Sequence, residues 1–402
     1  MNALAQEIRK LHAEADEIGR EKICNELGVL QASLASELNS ILRLAGGVSI
    51  YNMPLCPQLE GISFNSLIQP FELALVKIGL DQGIFQALHE RSHTLPELAK
   101  KTGLPLDVLE LILRGQASGG MIKEEAGAFA ANRFTALFSG SNACGALSYI
   151  FDMMVPVASA LPGYLTEHEK PTMTSAHDTV FQRAFETDLS IFDWAKKHPE
   201  RLGGLFKLLA LLSTIQDWTE AFPIAEEIGS FTSYGRERAV LVDVGGGAGP
   251  QSALFKQRFP HLTGRVIVQD FPEALAQADP IDGVEFMEYD CFTPQPIKGA
   301  KFYYLRYVLH LWQDDKCVAA LKSIIPAMDP ESRILIDEAV VPAAGATWQV
   351  AWLGIEMAAT MAGVERTRAR WENLLDEAGL KILNIFPYDS NGQSIIMAVP
   401  RH

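Results

Sequence analysis

The chain has 402 residues, a net charge of −15 and a pI near 5.1. That length exceeds one ordinary core and predicts two domains, while 48% hydrophobic content describes a chain able to bury them. The acidic balance argues against non-specific binding to nucleic acid, which needs clustered Lys and Arg.

No run of about 18 uninterrupted apolar residues occurs, so no membrane span is expected. The N-terminus, MNALAQEIRKLHAEADEIGREK, lacks the apolar core of a secretory signal and is too acidic for a transit peptide. The five cysteines (Cys24, Cys56, Cys144, Cys291, Cys317) are dispersed and form no CxxC. Such a set suits reduced thiols in the cytoplasm, with no zinc cage and no disulfide frame.

Residues 3–45 read as amphipathic helix, with Leu4, Ile8, Leu11, Ala15 and Ile18 at helical spacing. Such a stripe needs cover, from a partner subunit or from the chain's own second domain. GGVSIYNMPLCPQLEG then breaks the pattern. From Leu67 to Phe138 the order is helix, short helix, helix and hairpin, a winged helix-turn-helix. The recognition helix of that motif, LPLDVLELILRGQ, carries Asp107 and Glu110 against a single Arg114. An element meant for a phosphate-lined groove should be basic, so the winged helix reads as a packing or dimerisation module rather than a DNA reader. Residues 141–235 read as mostly helical. Met153 and Met154, close to Phe151 and Tyr149, have the adaptable side chains that line an apolar pocket, and equally those of a plain core.

From Arg238 the grammar alternates strand and helix. AVLVDVG, GRVIVQD, VEFMEYD, KFYYLRYV and SRILIDEAVV include the continuous apolar runs of parallel strands covered on both faces. LKILNIFPY and QSIIMAVPR are joined by DSNG, too short for a crossover, so they form an antiparallel hairpin at the sheet edge. The expected architecture is an N-terminal helical and winged-helix domain over 1–165. A doubly wound α/β, Rossmann-like domain follows over 166–402.

The loop VDVGGGAGP follows the first of these strands. Gly245, Gly247 and Gly249 give G-x-G-x-G, and the third position of a dinucleotide fingerprint falls on Pro250. Proline removes an amide donor that a pyrophosphate would use, so the loop suits a nucleoside better than a dinucleotide. Asp270, at the tip of the second strand, is placed for two ribose hydroxyls or, alternatively, for a helix cap before Phe271-Pro272. Asp290, Cys291 and Phe292 end the third strand, where an acid meets an adenine amino group and a ring covers its face.

This constellation resembles the caffeate-type O-methyltransferases of secondary metabolism, class I enzymes that bind S-adenosylmethionine (SAM). The resemblance runs over nearly the whole chain. It rests on VDVGGG-G at Val242–Gly249, D-F-P at Asp270–Pro272, D-C-F at Asp290–Phe292, IDE at Asp337-Glu338 and GVERT at Gly363–Thr367. It implies a homodimer held by the N-terminal helices. It also implies SAM contacts from Asp243, Gly245, Gly246, Gly247, Asp270, Phe271, Asp290, Cys291, Phe292, Arg306 and Trp312.

It further implies that His310 is the general base for the acceptor hydroxyl, with Glu338 and Glu365 flanking it and Arg306 nearby. An imidazole of ordinary pKa near 6.5 would be mostly neutral and ready at pH 7. No metal is implied. Two departures stand out. The family's His-Asp-Trp is His310-Leu311-Trp312 here, and Gly354 stands where an acid is expected in many relatives. With Met357 and Met361 they make an apolar pocket. That pocket leaves two SAM-dependent chemistries open. One is O-methyl transfer to a hydrophobic phenol or enol. The other is dehydration or pericyclic ring closure of a polyketide-derived substrate without methyl transfer. A winged-helix regulator that binds SAM is a third reading, opposed by the acidic helix.

Overall fold

The computed structural model describes residues 64–167, 172–198, 201, 203–205, 207–208, 217–229, 231, 237–276, 278–389 and 392–401. The helical prediction over 3–45 and the break after it lie outside these residues. The chain divides into two compact units, Met1–Met153 and Met154–His402. This division lies one helix before the 165/166 boundary expected from the sequence.

The described part of the first unit is the winged helix. Helices α1 (Phe64–Asp81) and α2 (Ile84–Glu90) precede the short strand β1 (His93–Thr94), helix α3 (Leu95–Thr102) and helix α4 (Leu106–Ser118). The wing follows as β2 (Lys123–Glu125) and β3 (Ala128–Ala130), in a sheet of order β1-β3-β2. Thr94 and Glu97 form a capping box that starts α3, and Gly103 ends it in a left-handed conformation. Phe85, Leu98, Leu109, Leu113 and Phe138 fill the core. On α4, Arg114 is paired with Glu110 at 2.7 Å, so its charge is already partnered. Two helices, α5 (Arg133–Ser139) and α6 (Ser141–Tyr149), lead into a π-helical turn, Ile150–Met154. Met153 in that turn is buried and Met154 is half-buried.

The second unit opens with helices α7 (Val155–Glu167), α8 (Val180–Phe185), α9 (Ile191–Lys197), α10 (Trp218–Ala221) and α11 (Ile224–Ile228). Residues Ala143–Glu167 form a helical stretch long and apolar enough to cross a membrane by composition alone, with a mean hydropathy of 1.5. One such stretch is weak evidence for a span, and core helices pass the same test.

The α/β domain follows. Its parallel strands are β4 (Ala239–Val244), β5 (Arg265–Asp270), β6 (Val284–Glu288), β7 (Phe302–Arg306) and β8 (Arg333–Val341). The sheet order is β10-β11-β8-β7-β4-β5-β6. Here β10 (Leu380–Pro387) and β11 (Gln393–Pro400) are the expected antiparallel hairpin. A short β9 (Arg366–Thr367) pairs with the end of β8.

Strands β4 and β7 are buried at every residue, as their continuous apolar sequences require. Alternation sends Tyr303, Leu305, Ile334 and Ile336 to one face, and Phe302, Tyr304 and Leu335 to the other. The order reverses at β4, between β5 and β7. Ligands of open α/β sheets bind at the carboxyl ends of strands around such a switch point.

Candidate active site

The glycine loop leaves β4 and enters helix α12 (Pro250–Arg258), with Pro250 at the first helical position. Gly245, Gly247 and Gly249 take φ of 75°, 56° and 79°, values that favour glycine. At Gly246 a Cβ would lie 2.6 Å from the Asp243 carboxyl carbon, so the close turn over that acid needs glycine. Asp243 is buried and accepts a hydrogen bond from the Ser252 hydroxyl at 2.8 Å. Burial pushes its carboxyl up to about 7.

Asp270 does not cap a helix. Its carboxylate accepts from the Gly247 amide at 2.8 Å and the Phe271 amide at 2.7 Å, one bond on each oxygen. Each oxygen keeps lone-pair capacity for a further donor. Asp290 accepts from the Phe292 amide at 3.0 Å, and the Phe292 ring meets Trp312 edge-on at 5.0 Å. The rings of Phe271 and Phe292 are exposed. Cys291 faces the core instead, and burial pushes its thiol up to about 12. An adenosine fits this cradle. Nothing stands within 4 Å of a Cβ built at Gly247, two carboxylates ring the loop, and the Phe271 ring beside it is exposed.

Past β7 the chain makes a tight turn, Leu309–Leu311, of 3-10 type. Glu338 builds it. The register sets Asp337 opposite Arg306, so Glu338 falls just beyond the end of β7. One of its carboxylate oxygens accepts from the amides of Val308 (3.0 Å), Leu309 (2.9 Å) and His310 (3.3 Å). The other oxygen, Oε2, is buried without a hydrogen-bond partner and lies 3.8 Å from His310 Nδ1. Glu365 Oε1 meets the same nitrogen at 2.6 Å. Among the described residues no protein group bonds Nε2, which leaves that nitrogen for an acceptor.

Burial alone would lower the imidazole; Glu338, Glu365 and Glu356 outweigh it and hold the ring up at about 9. This corrects the expectation of a ring mostly neutral at pH 7. Burial likewise holds Glu338 above the ordinary carboxylate range. A base must be neutral to accept a proton. For a phenolic acceptor, kcat/KM is therefore expected to fall about tenfold per pH unit below about 9, read from a pH–rate profile. A limb centred near 6.5 would remove the carboxylate field from the account. The same raised pKa contributes stability that is complete below about 6.5 and lost as pH rises through about 9.

The two acids of the IDE motif separate. Glu338 shares the face of Ile336 and serves the His310 turn. Asp337 shares the face of Leu335 and meets Arg306 at 3.2 Å. It also accepts from Tyr304 (2.5 Å), Tyr388 (2.6 Å) and Gln393 (3.0 Å). Arg306 thus has a buried carboxylate partner that the sequence did not signal. Met357 is buried, and Met361 and Leu311 are half-buried. After α13 (Pro272–Leu275) and α14 (Asp314–Ile324) comes helix α15 (Trp348–Met361), and the segment after it lies against the His310 turn, since the Val364 amide donates to the His310 carbonyl at 2.8 Å. A Cβ at Gly363 would overlap that carbonyl.

Two residues escaped the sequence reading. Glu356, on α15, lies close enough to raise His310, and burial pushes it up to about 7. It stands two residues after Gly354, where the acid was expected. Arg366 is fully buried and donates to the carbonyls of Leu309 (3.0 Å), Trp312 (2.7 Å) and Val364 (3.2 Å), and to Asp314 (2.8 Å). It clamps the turn that carries the base. The retained GVERT motif was its only signal.

The sequence pattern of the O-methyltransferase domain matches residues 230–381. The O-methyltransferase okaF of Penicillium ochrochloron is 58% identical over 405 residues, covering 100% of both chains. The chain belongs to the O-methyltransferase family. A demethylsterigmatocystin 6-O-methyltransferase of Aspergillus parasiticus is 41% identical, covering 100% of this chain and 98% of that one. The solved structure of LepI in complex with SAM, from a pericyclase of the family, matches with a TM-score of 0.78 at 30% identity. It covers 100% of this chain and 98% of LepI. SAM is the cofactor, and the chain is a methyltransferase-fold enzyme for which methyl transfer is the better-supported activity.

Proposed function

We propose that the enzyme methylates a hydroxyl of a hydrophobic phenolic or enolic secondary metabolite, with His310 as general base. The observation that carries this reading is the His310–Glu365 contact of 2.6 Å beside the glycine-loop cradle. SAM supplies an electrophilic methyl group when bound. Asp243, the loop Gly245–Gly247, Asp270, Phe271, Asp290, Phe292 and Trp312 would hold its adenosine. His310 Nε2 takes the acceptor proton, Glu365 fixes the tautomer, and Glu338 holds the turn and stabilises the imidazolium. Leu311, Met357 and Met361 supply apolar wall, and Met154 is proposed to extend it.

Two finer points follow from the same reading. The enzyme works as a homodimer, supported by the amphipathic pattern over 3–45 and by exposed Phe71 and Leu111 in the first unit. It acts in the cytoplasm, supported by the free thiols of the buried Cys291 and Cys317.

A second reading has its own support. Leu311 replaces the acid beside the base, and the likeness to LepI spans the whole chain. In that reading SAM stays intact and its charge polarises a carbonyl. The test is incubation with SAM and a panel of polycyclic phenols that includes demethylsterigmatocystin. A product heavier by one methylene, with S-adenosylhomocysteine released, is the expected result. Isomerised or dehydrated product with SAM unconsumed would give the site to the second reading.

A further inference from the structure

Tyr307 belongs to none of the motifs, yet the backbone singles it out. It takes φ of 52°, a left-handed conformation that residues with a Cβ seldom adopt. Such outliers persist where the surrounding structure enforces them, and they gather at functional sites. The enforcement is visible. The Tyr307 amide is bonded to the Asp337 carbonyl at 3.4 Å, and the next amides, from Val308 onward, converge on Glu338.

In extended conformation residue 307 would continue on the face of Tyr303 and Leu305. The left-handed turn re-aims it. Its ring centroid lies 5.3 Å from the His310 ring, tilted by 31°, and 5.2 Å from the Arg306 guanidinium carbon. Tyr307 is half-buried. It therefore touches both charged clusters that the sheet otherwise separates: Arg306 with Asp337 on one face, and His310 with its acids on the other.

We propose that Tyr307 is a positioning residue for His310. Its aromatic face holds the imidazole with Nδ1 toward Glu365, and it favours the imidazolium formed when the acceptor loses its proton. A ring quadrupole stabilises a cation over its face, and the protonated ring of His310 is such a cation. The groups facing His310 from the packed elements are Glu338 on β8, Glu356 on α15, Glu365 before β9 and, across Tyr307, Arg306 on β7. Removing the aromatic ring leaves the three acids and removes one cation-stabilising neighbour.

The proposal rests on methyl transfer only for its kinetic readout, so the experiment has two arms. In the first, histidine-labelled protein is titrated by NMR, with His310→Gln assigning the signal. The second measures kcat and the KM for SAM with a phenolic acceptor. For Tyr307→Leu the His310 titration is expected to fall by about one pH unit, with the limiting kcat on the high-pH plateau about tenfold lower and KM for SAM unchanged. Tyr307→Phe, which keeps the ring, restores both. If Tyr307→Leu does not fold, Tyr307→Asn removes the ring with a residue that tolerates the left-handed conformation. A folded ringless variant with the wild-type titration overturns the proposal. So does a Tyr307→Phe protein that loses as much as Tyr307→Leu. If the wild-type enzyme makes no methylated product, the methyl-transfer reading fails, and the titration still decides the role of Tyr307.

Discussion

Replacing His310 with glutamine is expected to lower kcat for a phenolic acceptor by about 10²–10⁴-fold while SAM still binds. A phenol with a pKa near 10 is about one part in a thousand phenolate at pH 7, and the base supplies the missing ionisation. The loss should therefore depend on the acceptor. A nitrophenol already ionised at the assay pH needs no base, and the variant should methylate it at close to the wild-type rate. Calorimetry with SAM separates this from a binding defect, because the adenosine cradle is built by other residues. Equal losses on ionised and un-ionised acceptors would sink the base assignment and leave His310 as part of the turn.

Glu365→Gln probes the same chemistry from the other side. It removes a negative charge bonded to Nδ1 at 2.6 Å, so the imidazole pKa falls and the pH–rate limb moves to lower pH. The limiting rate should fall with it, since the tautomer is held less firmly.

Much of this was legible in the sequence where local pattern carries it. The strands β4 to β8, the edge hairpin of β10 and β11 and the glycine loop follow from apolar runs, turn length and glycine spacing, which report on neighbours in the chain; the short β9 does not. The Asp270 carboxylate accepts from the Gly247 amide of that loop, while in the sequence its helix-cap alternative had equal local support. Geometry between distant strands was less legible. Asp337 and Glu338 are adjacent in sequence, yet strand alternation sends them to opposite faces and gives them unrelated partners. Tyr388 and Gln393 reach Asp337 only because the hairpin folds back beside β8. The charge on His310 was missed for a similar reason. An imidazole reads as neutral from its type, whereas its pKa depends on acids from three separate elements. Glu356 could have been found by asking which residue of α15 takes over from Gly354. Leu311 remains half-buried in the His310 turn, consistent with an apolar acceptor wall.

Arg366 shows the largest gap between sequence and structure, and it carries the largest expected effect on stability. By composition an arginine reads as surface, since arginine is seldom fully buried unless paired. Here it is 0% exposed and spends its planar fork on one carboxylate and three carbonyls. Those carbonyls belong to Leu309 and Trp312, on either side of His310, and to Val364, beside Glu365. One side chain thus fixes both the base and its acid. Arg366→Leu removes the fork and leaves Asp314 and the buried carbonyls without that partner, which should destabilise the second unit by about 3–5 kcal/mol. Urea unfolding monitored on the folded variant measures this, together with loss of methyl transfer. Arg366→Lys keeps the charge but cannot span the same acceptors, so it should fall between wild type and leucine. An unfolding midpoint for Arg366→Leu close to wild type would mean that water replaces the guanidinium. The His310 turn would then owe its shape to Glu338 and to the Val364 amide.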